Sequence, residues 1–198
     1  MERKRYAMCG IVGYVGPRNT TEILISGLKR LEYRGYDSAG VALCPRGGGA
    51  LVVVKSPGKI AALEEQLTAV GLNAPSGEYA LGIAHTRWAT HGPPNHVNAH
   101  PHQSASGDIA IVHNGIIENY QELKGRLVSQ GFKFVSETDS EVIAHLVEAC
   151  YEGDLRAAVA TAIERLEGTY VLAVISRRHP GQLVAARKGS PLVVGMCE

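Results

Sequence analysis

The chain has 198 residues, of which 45% are hydrophobic and 20% are charged, and its formal net charge is +1. These values are typical of a soluble globular fold that can bury a core without disulfides or metals. A charge so close to zero gives no electrostatic reason to expect nucleic acid or an acidic membrane surface as a partner.

The cysteines and the apolar runs bear on cellular location. Cys9, Cys44, Cys150 and Cys197 form no C-x-x-C pair and no disulfide framework, which favours a reducing compartment. No apolar run reaches the length of a membrane span, and the apolar stretch after the basic start is too short for a signal peptide. We therefore expect a cytoplasmic protein.

Runs rich in β-branched residues predict strands, and apolar residues at helical spacing that end near a glycine predict helices. The predicted strands cover residues 10–15, 39–43, 51–54, 81–86, 109–113, 170–175, 183–186 and 192–194. The predicted helices cover residues 20–33, 59–70, 118–129 and 155–166, with one more opening at 138–141. Strands in groups and helices in pairs favour one α+β domain with antiparallel sheets over a βαβ repeat.

Several local signals refine these elements. Thr20 or Thr21 is a candidate cap of the first helix, and residues 138–141 have the pattern of a capping box. Asn114 and Gly115 follow a buried strand and are the strongest short signal for a hairpin turn. Residues 88–107 form a long loop, and loops of that length are usually functional or disordered.

Cys9 is the first candidate for chemistry. A free cysteine beside a strand is most often a small buried hydrophobe. If Met1 to Met8 were removed, however, Cys9 would carry an α-amine with a pKa of about 7.7–8.0. Such an amine can accept the thiol proton and so activate the nucleophile without a histidine.

Three further positions have both a structural and a functional interpretation. Arg87 is a surface salt-bridge residue or a bidentate ligand of a carboxylate. Asn114 and the N–H of Gly115 form a turn or a pair of donors for an oxyanion. Asp139 caps a helix or pairs with a substrate ammonium. For these residues, as for Cys9, the residue types alone favour the structural interpretation.

The loop also contains His91, His96, His100 and His102, which raises the question of zinc. Their spacings fit no closed structural zinc pattern, and no cysteine accompanies them. We expect no metal and no other cofactor.

Five segments in chain order resemble one family. Residues 8–13 are similar to the start of the class II, N-terminal nucleophile, glutamine amidotransferases. Within that class, the remaining segments resemble the glutaminase domain of the isomerising glutamine–fructose-6-phosphate aminotransferases. They are residues 31–40, 85–92 with 98–102, 112–120 and 136–141. Five such motifs in order are highly specific, and the functional interpretations now lead.

The resemblance implies a fold and a reaction. The fold is a four-layer α/β/β/α sandwich of antiparallel sheets, the N-terminal nucleophile hydrolase fold. Cys9 is the implied nucleophile with its own α-amine as base, and Asn114 and Gly115 form the oxyanion hole. Glutamine is hydrolysed to glutamate and ammonia through a γ-glutamyl thioester.

The resemblance also implies how glutamine is held. Arg87 binds its α-carboxylate and Asp139 its α-ammonium. Thr90 and His91 line the pocket, and Trp88 lies where ammonia leaves. A sixth residue, Arg34, supports the region of the nucleophile.

The chain departs from this family at both ends. Residues 1–8 are an extension that we expect to be removed or non-native, because they block the α-amine. Residues 9–198 are then a C-terminally incomplete glutaminase domain, without the isomerase domains that use fructose 6-phosphate to make glucosamine 6-phosphate. The full-length protein is expected to be a homodimer.

Two alternatives remain beside an active glutaminase. One is an inactive, N-terminally blocked domain that binds glutamine. The other is the glutaminase domain of a different class II enzyme, such as an amidophosphoribosyltransferase. A metal-binding protein built on the histidine loop is a third and more distant interpretation.

Overall fold

A computed structural model describes residues 9–72, 78–89 and 92–196. Its strands are β1 (Gly10–Val15), β2 (Ser38–Pro45), β3 (Val52–Pro57), β4 (Tyr79–Arg87), β5 (His102–Gln103), β6 (Ile109–Ile117), β7 (Gly168–Ser176) and β8 (Leu183–Lys188). Its α-helices are α1 (Thr20–Leu31), α2 (Ile60–Ala69), α3 (Tyr120–Ser129), α4 (Ser140–Ala149) and α5 (Leu155–Ile163). A 3₁₀ turn, Glu32–Arg34, follows α1.

The strands form two antiparallel sheets of four strands each. The first sheet has the order β1-β4-β2-β3 and the second the order β5-β6-β7-β8. In the first sheet β4 is central and pairs with β1 and β2, so that Gly10 lies opposite Thr86. In the second sheet β6 pairs with β7 along its whole length.

Three buried apolar clusters show how the layers stack. One packs α1 and α2 on the first sheet, and another packs α3, α4 and α5 on the second. The third lies between the sheets and includes Ala42, Ile83, Ala110 and Ala173. Strand side chains alternate between a helix and the other sheet, as the period of two requires. The four-layer α/β/β/α sandwich is therefore confirmed.

The first helix has a different cap from the expected one. The side chain of Asn19 accepts a hydrogen bond from the N–H of Glu22 at 3.2 Å, whereas Thr20 and Thr21 are buried helical residues. The threonine caps were therefore wrong, because Asn19 lies one residue earlier and has the extended backbone that a cap needs. The helix narrows to a 3₁₀ turn and stops at Gly35, whose φ of 76° is unfavourable for other residues.

The capping box at residues 138–141 was also wrong. The Glu141 carboxylate turns instead to the preceding segment, where it accepts the N–H groups of Val135 at 2.9 Å and Ser136 at 2.7 Å. Burial alone would raise the pKa of Glu141, but these bonds and His145 lower it to about 2. This carboxylate ties the segment before α4 to the helix and remains ionised.

Two further local predictions fail because strand pairing decides the structure. Asn114 and Gly115 are not a turn: they lie within β6, opposite Val171 and Tyr170 of β7. Residues 192–194 are not a strand, and the side chains of Val193 and Val194 are exposed there with no regular structure. Within the described residues, no helix combines the length and the apolar character needed to cross a bilayer.

Candidate active site

The polar end of the layer between the sheets brings Cys9 and Asn114 together with His85. Along β4, His85 continues the face of Leu81 and Ile83, and along β6, Asn114 continues the face of Ala110 and Val112. Both side chains therefore enter the space between the sheets. Cys9 directly precedes β1, whose first residue pairs with β4 at the same end.

Backbone atoms of Trp88 hold the sulfur of Cys9. The Trp88 N–H donates to Sγ at 3.1 Å, and the thiol donates weakly to the Trp88 carbonyl at 3.6 Å. Burial raises the pKa of the Cys9 thiol, and the bond from Trp88 only partly offsets this. At neutral pH the sulfur is therefore protonated. Across residues 9–72, 78–89 and 92–196, no side chain hydrogen-bonds to it.

The side-chain amide of Asn114 lies against Cys9. Its Nδ2 donates to the carbonyl oxygen of Cys9 at 3.1 Å, and its Oδ1 lies 2.7 Å from Nε2 of His85. Burial lowers the pKa of His85 to about 3, so this ring is neutral. An amide hydrogen thus lies beside Cys9, where a donor for a developing oxyanion is needed.

Gly115 has a backbone that only glycine adopts without strain. Its φ is 138°, and a Cβ atom would lie 2.0 Å from the carbonyl oxygen of Thr169 on the paired strand. The glycine therefore lets β6 keep its pairing with β7 beside Asn114. This requirement explains the residue without any hairpin.

Asp139 lies at the start of α4 but does not cap it. Its Oδ2 accepts the N–H of Ile117 at 2.8 Å, at the end of β6. The Ser140 hydroxyl donates to its Oδ1 at 3.4 Å and also contacts Nδ1 of His113 at 2.8 Å. The side chain of Asp139 is 3% exposed. A buried carboxylate so placed can meet a cationic group of a ligand.

Arg87 is buried at the end of β4. Its guanidinium donates to the carbonyl oxygens of Gly92 at 3.1 Å and Pro93 at 3.4 Å. The Arg87 backbone carbonyl accepts the N–H of Asp37, and the Asp37 carboxylate in turn accepts the N–H of Ala89. Arg87 therefore holds the loop that follows its own strand, and it is not a surface residue.

The other predicted positions have varied outcomes. Trp88 is 47% exposed beside Cys9, whereas the Arg34 guanidinium contacts the ring and hydroxyl of Tyr33. Thr90 and His91 lie outside the described residues.

The histidine loop does not form a metal centre in the part of the chain that is described. His100 and His102 are buried with ring centroids 4.6 Å apart, while His96 is exposed. No group of three or more His, Cys, Asp or Glu side chains within these residues is arranged to hold a metal ion.

Sequence reasoning missed three contributors to the site. His85 contacts the Asn114 amide, the hydroxyl of Thr86 accepts the N–H of Gly10 at 3.1 Å, and Asp37 holds the chain after Trp88. The alternation of β4 could have placed His85 on the inner face, two residues after Ile83. No sequence signal marks the other two, because each binds a backbone N–H.

Comparison with known proteins identifies the family. The glutamine amidotransferase domain profile matches residues 85–196, more than half of the chain. This chain is a member of the glutamine amidotransferase family. The matched region holds Arg87, Asn114, Gly115 and Asp139, and β1 with Cys9 pairs directly with it.

Relatives of this amidotransferase domain are much longer proteins. It is 55% identical over 191 residues to glutamine–fructose-6-phosphate aminotransferase (isomerising) of Symbiobacterium thermophilum. It is 56% identical over 192 residues to an enzyme of the same name from Thermus thermophilus. Each match covers 96% of this chain but only 30% of the relative, so the chain spans less than a third of their length.

Solved structures support the same fold for the amidotransferase domain. It is similar to glutamine phosphoribosylpyrophosphate amidotransferase of B. subtilis, with a TM-score of 0.68 and 26% identity. It is also similar to an allosteric regulatory enzyme of purine biosynthesis, with a TM-score of 0.70 and 27% identity. Each match covers 84% of this chain and 35% of the other.

Proposed function

We propose that this amidotransferase domain hydrolyses the side-chain amide of L-glutamine, with Cys9 as the nucleophile. The observation that carries the proposal is the contact between the Asn114 amide and Cys9, at 3.1 Å, beside the positive-φ backbone of Gly115. A thiol next to a buried amide donor and a glycine is suited to acyl transfer through an anionic tetrahedral intermediate.

The base in this mechanism is the α-amine of Cys9. The raised pKa of the thiol means that the sulfur needs a base, and its hydrogen bonds among the described residues are to the Trp88 backbone. An α-amine with a pKa of about 7.7–8.0 is partly unprotonated near neutral pH and belongs to the same residue. Removal of Met1 to Met8 is therefore part of the proposal.

The reaction then has two stages. The thiol proton passes to the amine, and Sγ bonds to the amide carbon while Asn114 Nδ2 and the Gly115 N–H stabilise the oxyanion. The carbon–nitrogen bond breaks, and the ammonium proton goes to the leaving nitrogen, so that ammonia departs from a γ-glutamyl thioester. Water, deprotonated by the same amine, attacks the thioester and releases glutamate and the thiol.

Charged groups of opposite sign hold the two ends of glutamine. Arg87 binds the α-carboxylate through its planar guanidinium, and Asp139 binds the α-ammonium. Trp88, Thr90 and His91 line the pocket, with Trp88 on the side where ammonia leaves. Arg34 supports the region of the nucleophile; it lies three residues before Asp37, whose N–H donates to the Arg87 carbonyl.

The full-length protein would supply ammonia for a sugar phosphate. Relatives that are 55–56% identical are named for glutamine and fructose 6-phosphate, and this chain covers 30% of their length. We propose that their remaining part corresponds to isomerase domains that use the ammonia, and that the whole enzyme is a cytoplasmic homodimer. The higher identity to these enzymes favours them over the phosphoribosyl amidotransferase, at 26%.

A second candidate follows from the residues that precede Cys9. If Met1 to Met8 remain attached, the α-amine is an amide nitrogen and cannot accept a proton. The domain then binds glutamine without hydrolysing it. Processing of the N-terminus therefore separates the two functions.

Intact mass, before and after incubation with an electrophilic glutamine analogue, tests the proposal. We expect loss of Met1 to Met8 and one adduct, located on Cys9 by peptide mapping. A Cys44→Ser variant should still take the adduct, because Cys44 is buried between the sheets. A processed chain that takes no adduct on Cys9 would overturn the proposed function, whereas an unprocessed chain without adduct supports the second candidate.

A further inference from the structure

The amide of Asn114 has only one orientation that satisfies both of its neighbours. One neighbour is the carbonyl oxygen of Cys9, 3.1 Å away, which can only accept a hydrogen bond. Nδ2 must therefore face Cys9, and Oδ1 must face His85, whose Nε2 is 2.7 Å away. Since Oδ1 only accepts, Nε2 of His85 carries a hydrogen.

His85 is held so that this hydrogen stays in place. The side chain is 1% exposed on β4, an inner strand of its sheet, and the ring of His100 lies 4.2 Å away between centroids. The ring is neutral and has a single proton, which the 2.7 Å contact with the acceptor Oδ1 of Asn114 assigns to Nε2. Rotating the amide of Asn114 by half a turn would lose both hydrogen bonds and bring two acceptors together.

We propose that His85 is a positioning residue, which directs the Asn114 amide hydrogen towards the nucleophile by donating from Nε2 to Oδ1. The inference rests on the proposed function, in which Asn114 stabilises the oxyanion. Among the described residues the sulfur of Cys9 is hydrogen-bonded to the Trp88 backbone and not to His85, whose contact with the site is through Asn114. Loss of His85 should therefore lower kcat for glutamine hydrolysis and leave KM nearly unchanged, because Arg87 and Asp139 still hold the substrate.

Two substitutions distinguish the effect of the His85 Nε2–H from the effect of the size of the ring. In the processed chain, His85→Leu should lower kcat by about tenfold to a hundredfold, less than the 10²–10³ expected on loss of an oxyanion donor. His85→Gln keeps an amide N–H near the position of Nε2 and should restore most of kcat. An unchanged kcat in His85→Leu would overturn the proposal, and so would equal losses in both variants.

A matched control and a double variant exclude a general structural effect. His145 is also buried, at 2% exposed, but it contacts Glu141, Phe132 and Phe134 rather than Asn114, so His145→Leu should leave kcat unchanged. In an Asn114→Ala background, His85→Leu should lower kcat no further, because its effect passes through the missing amide. Losses that multiply would show that His85 acts independently and would overturn the proposal.

The tautomer can be read without any activity. In the full 198-residue chain labelled with ¹⁵N-histidine, nuclear magnetic resonance should show a protonated Nε2 and a bare Nδ1 for His85, assigned by the loss of both signals in His85→Gln. A proton on Nδ1 would overturn the proposal. A processed parent with the expected tautomer but no glutamine hydrolysis would instead refute the proposed function and leave the orientation of Asn114 established.

Discussion

Mild acid should destabilise this chain strongly, because four buried histidines stay neutral while it is folded. Burial lowers the pKa of His85 to about 3 and that of His113 to about 4. It also lowers the pKa values of His100 and His102 well below 6.5, and no described residue hydrogen-bonds to either ring nitrogen of His100. Lowering the pH from 7.5 to 5 is the perturbation.

The sign follows from where the protons bind. Below pH 6.5 the histidines of the unfolded chain take up protons that the folded chain cannot. The free energy of unfolding therefore decreases as the pH is lowered. At pH 5 the loss is about 2 kcal/mol for each fully neutral histidine, or about 4 kcal/mol for His85 and His113 together. His100 and His102 act in the same direction. Domains typically have only about 5–15 kcal/mol in total.

Titration of Glu141 does not contribute to the change in stability between pH 6.5 and 5. Glu141 has its pKa lowered from 4.5 to about 2 by hydrogen bonds that outweigh burial, so its stabilising effect is complete above pH 4.5 and is lost only below it. A loss of stability between pH 6.5 and 5 therefore reports the histidines.

Urea unfolding followed by circular dichroism at pH 7.5, 6 and 5 measures the effect. His102→Gln keeps a nitrogen near Thr138, which now contacts Nε2 of His102 at 3.0 Å. The substitution should reduce the slope of the free energy of unfolding against pH near pH 5 by about 1.4 kcal/mol per pH unit, which corresponds to about one proton. His96→Gln, at an exposed position, should not change it. Equal stability at pH 7.5 and 5 would refute the argument from burial.

Three further predictions concern the reaction and strand β6. Asn114→Ala should lower turnover of glutamine by about 10²–10³ with little change in KM, and collapse of binding with normal turnover would contradict its role. Gly115→Ala should lower the free energy of unfolding by more than about 2 kcal/mol in urea, since its Cβ would meet the Thr169 carbonyl at a φ of 138°; unchanged stability would show that β6 relaxes. Hydrolysis by the processed chain should fall as pH drops below about 7.7–8.0, because the α-amine of Cys9 becomes protonated, and a flat rate profile would exclude that base.

Much of the fold could be predicted because apolar periodicity and burial agree. Leu24 and Leu28, spaced as on one helix face, are both fully buried against the first sheet. The strands around Ile83 and Ile111 were found for the same reason. Predictions failed where several local structures suit one sequence: Asn19, and neither Thr20 nor Thr21, forms the side-chain cap of the first helix.

The pair Asn114 and Gly115 shows why local signals can mislead at a site. This dipeptide favours a hairpin because glycine tolerates positive φ, and Gly115 does have positive φ. Here the same property serves a continuous strand, in which a Cβ atom at position 115 would lie 2.0 Å from the carbonyl oxygen of Thr169 on the paired strand. Pairing of β6 with β7 over nine residues outweighs the turn preference of two.

The geometry of the site depends on strand register more than on residue type. Slipping β4 by one residue would turn His85 towards the helices and replace it on the inner face by Thr86 or Ala84. The Asn114 amide would then lose the partner of its oxygen. Register is set by the apolar side chains on both faces of β4, among them Ile83 towards the second sheet and Ala84 towards the helices. The packing that stabilises the sandwich is therefore also what aims the amide of Asn114 at Cys9.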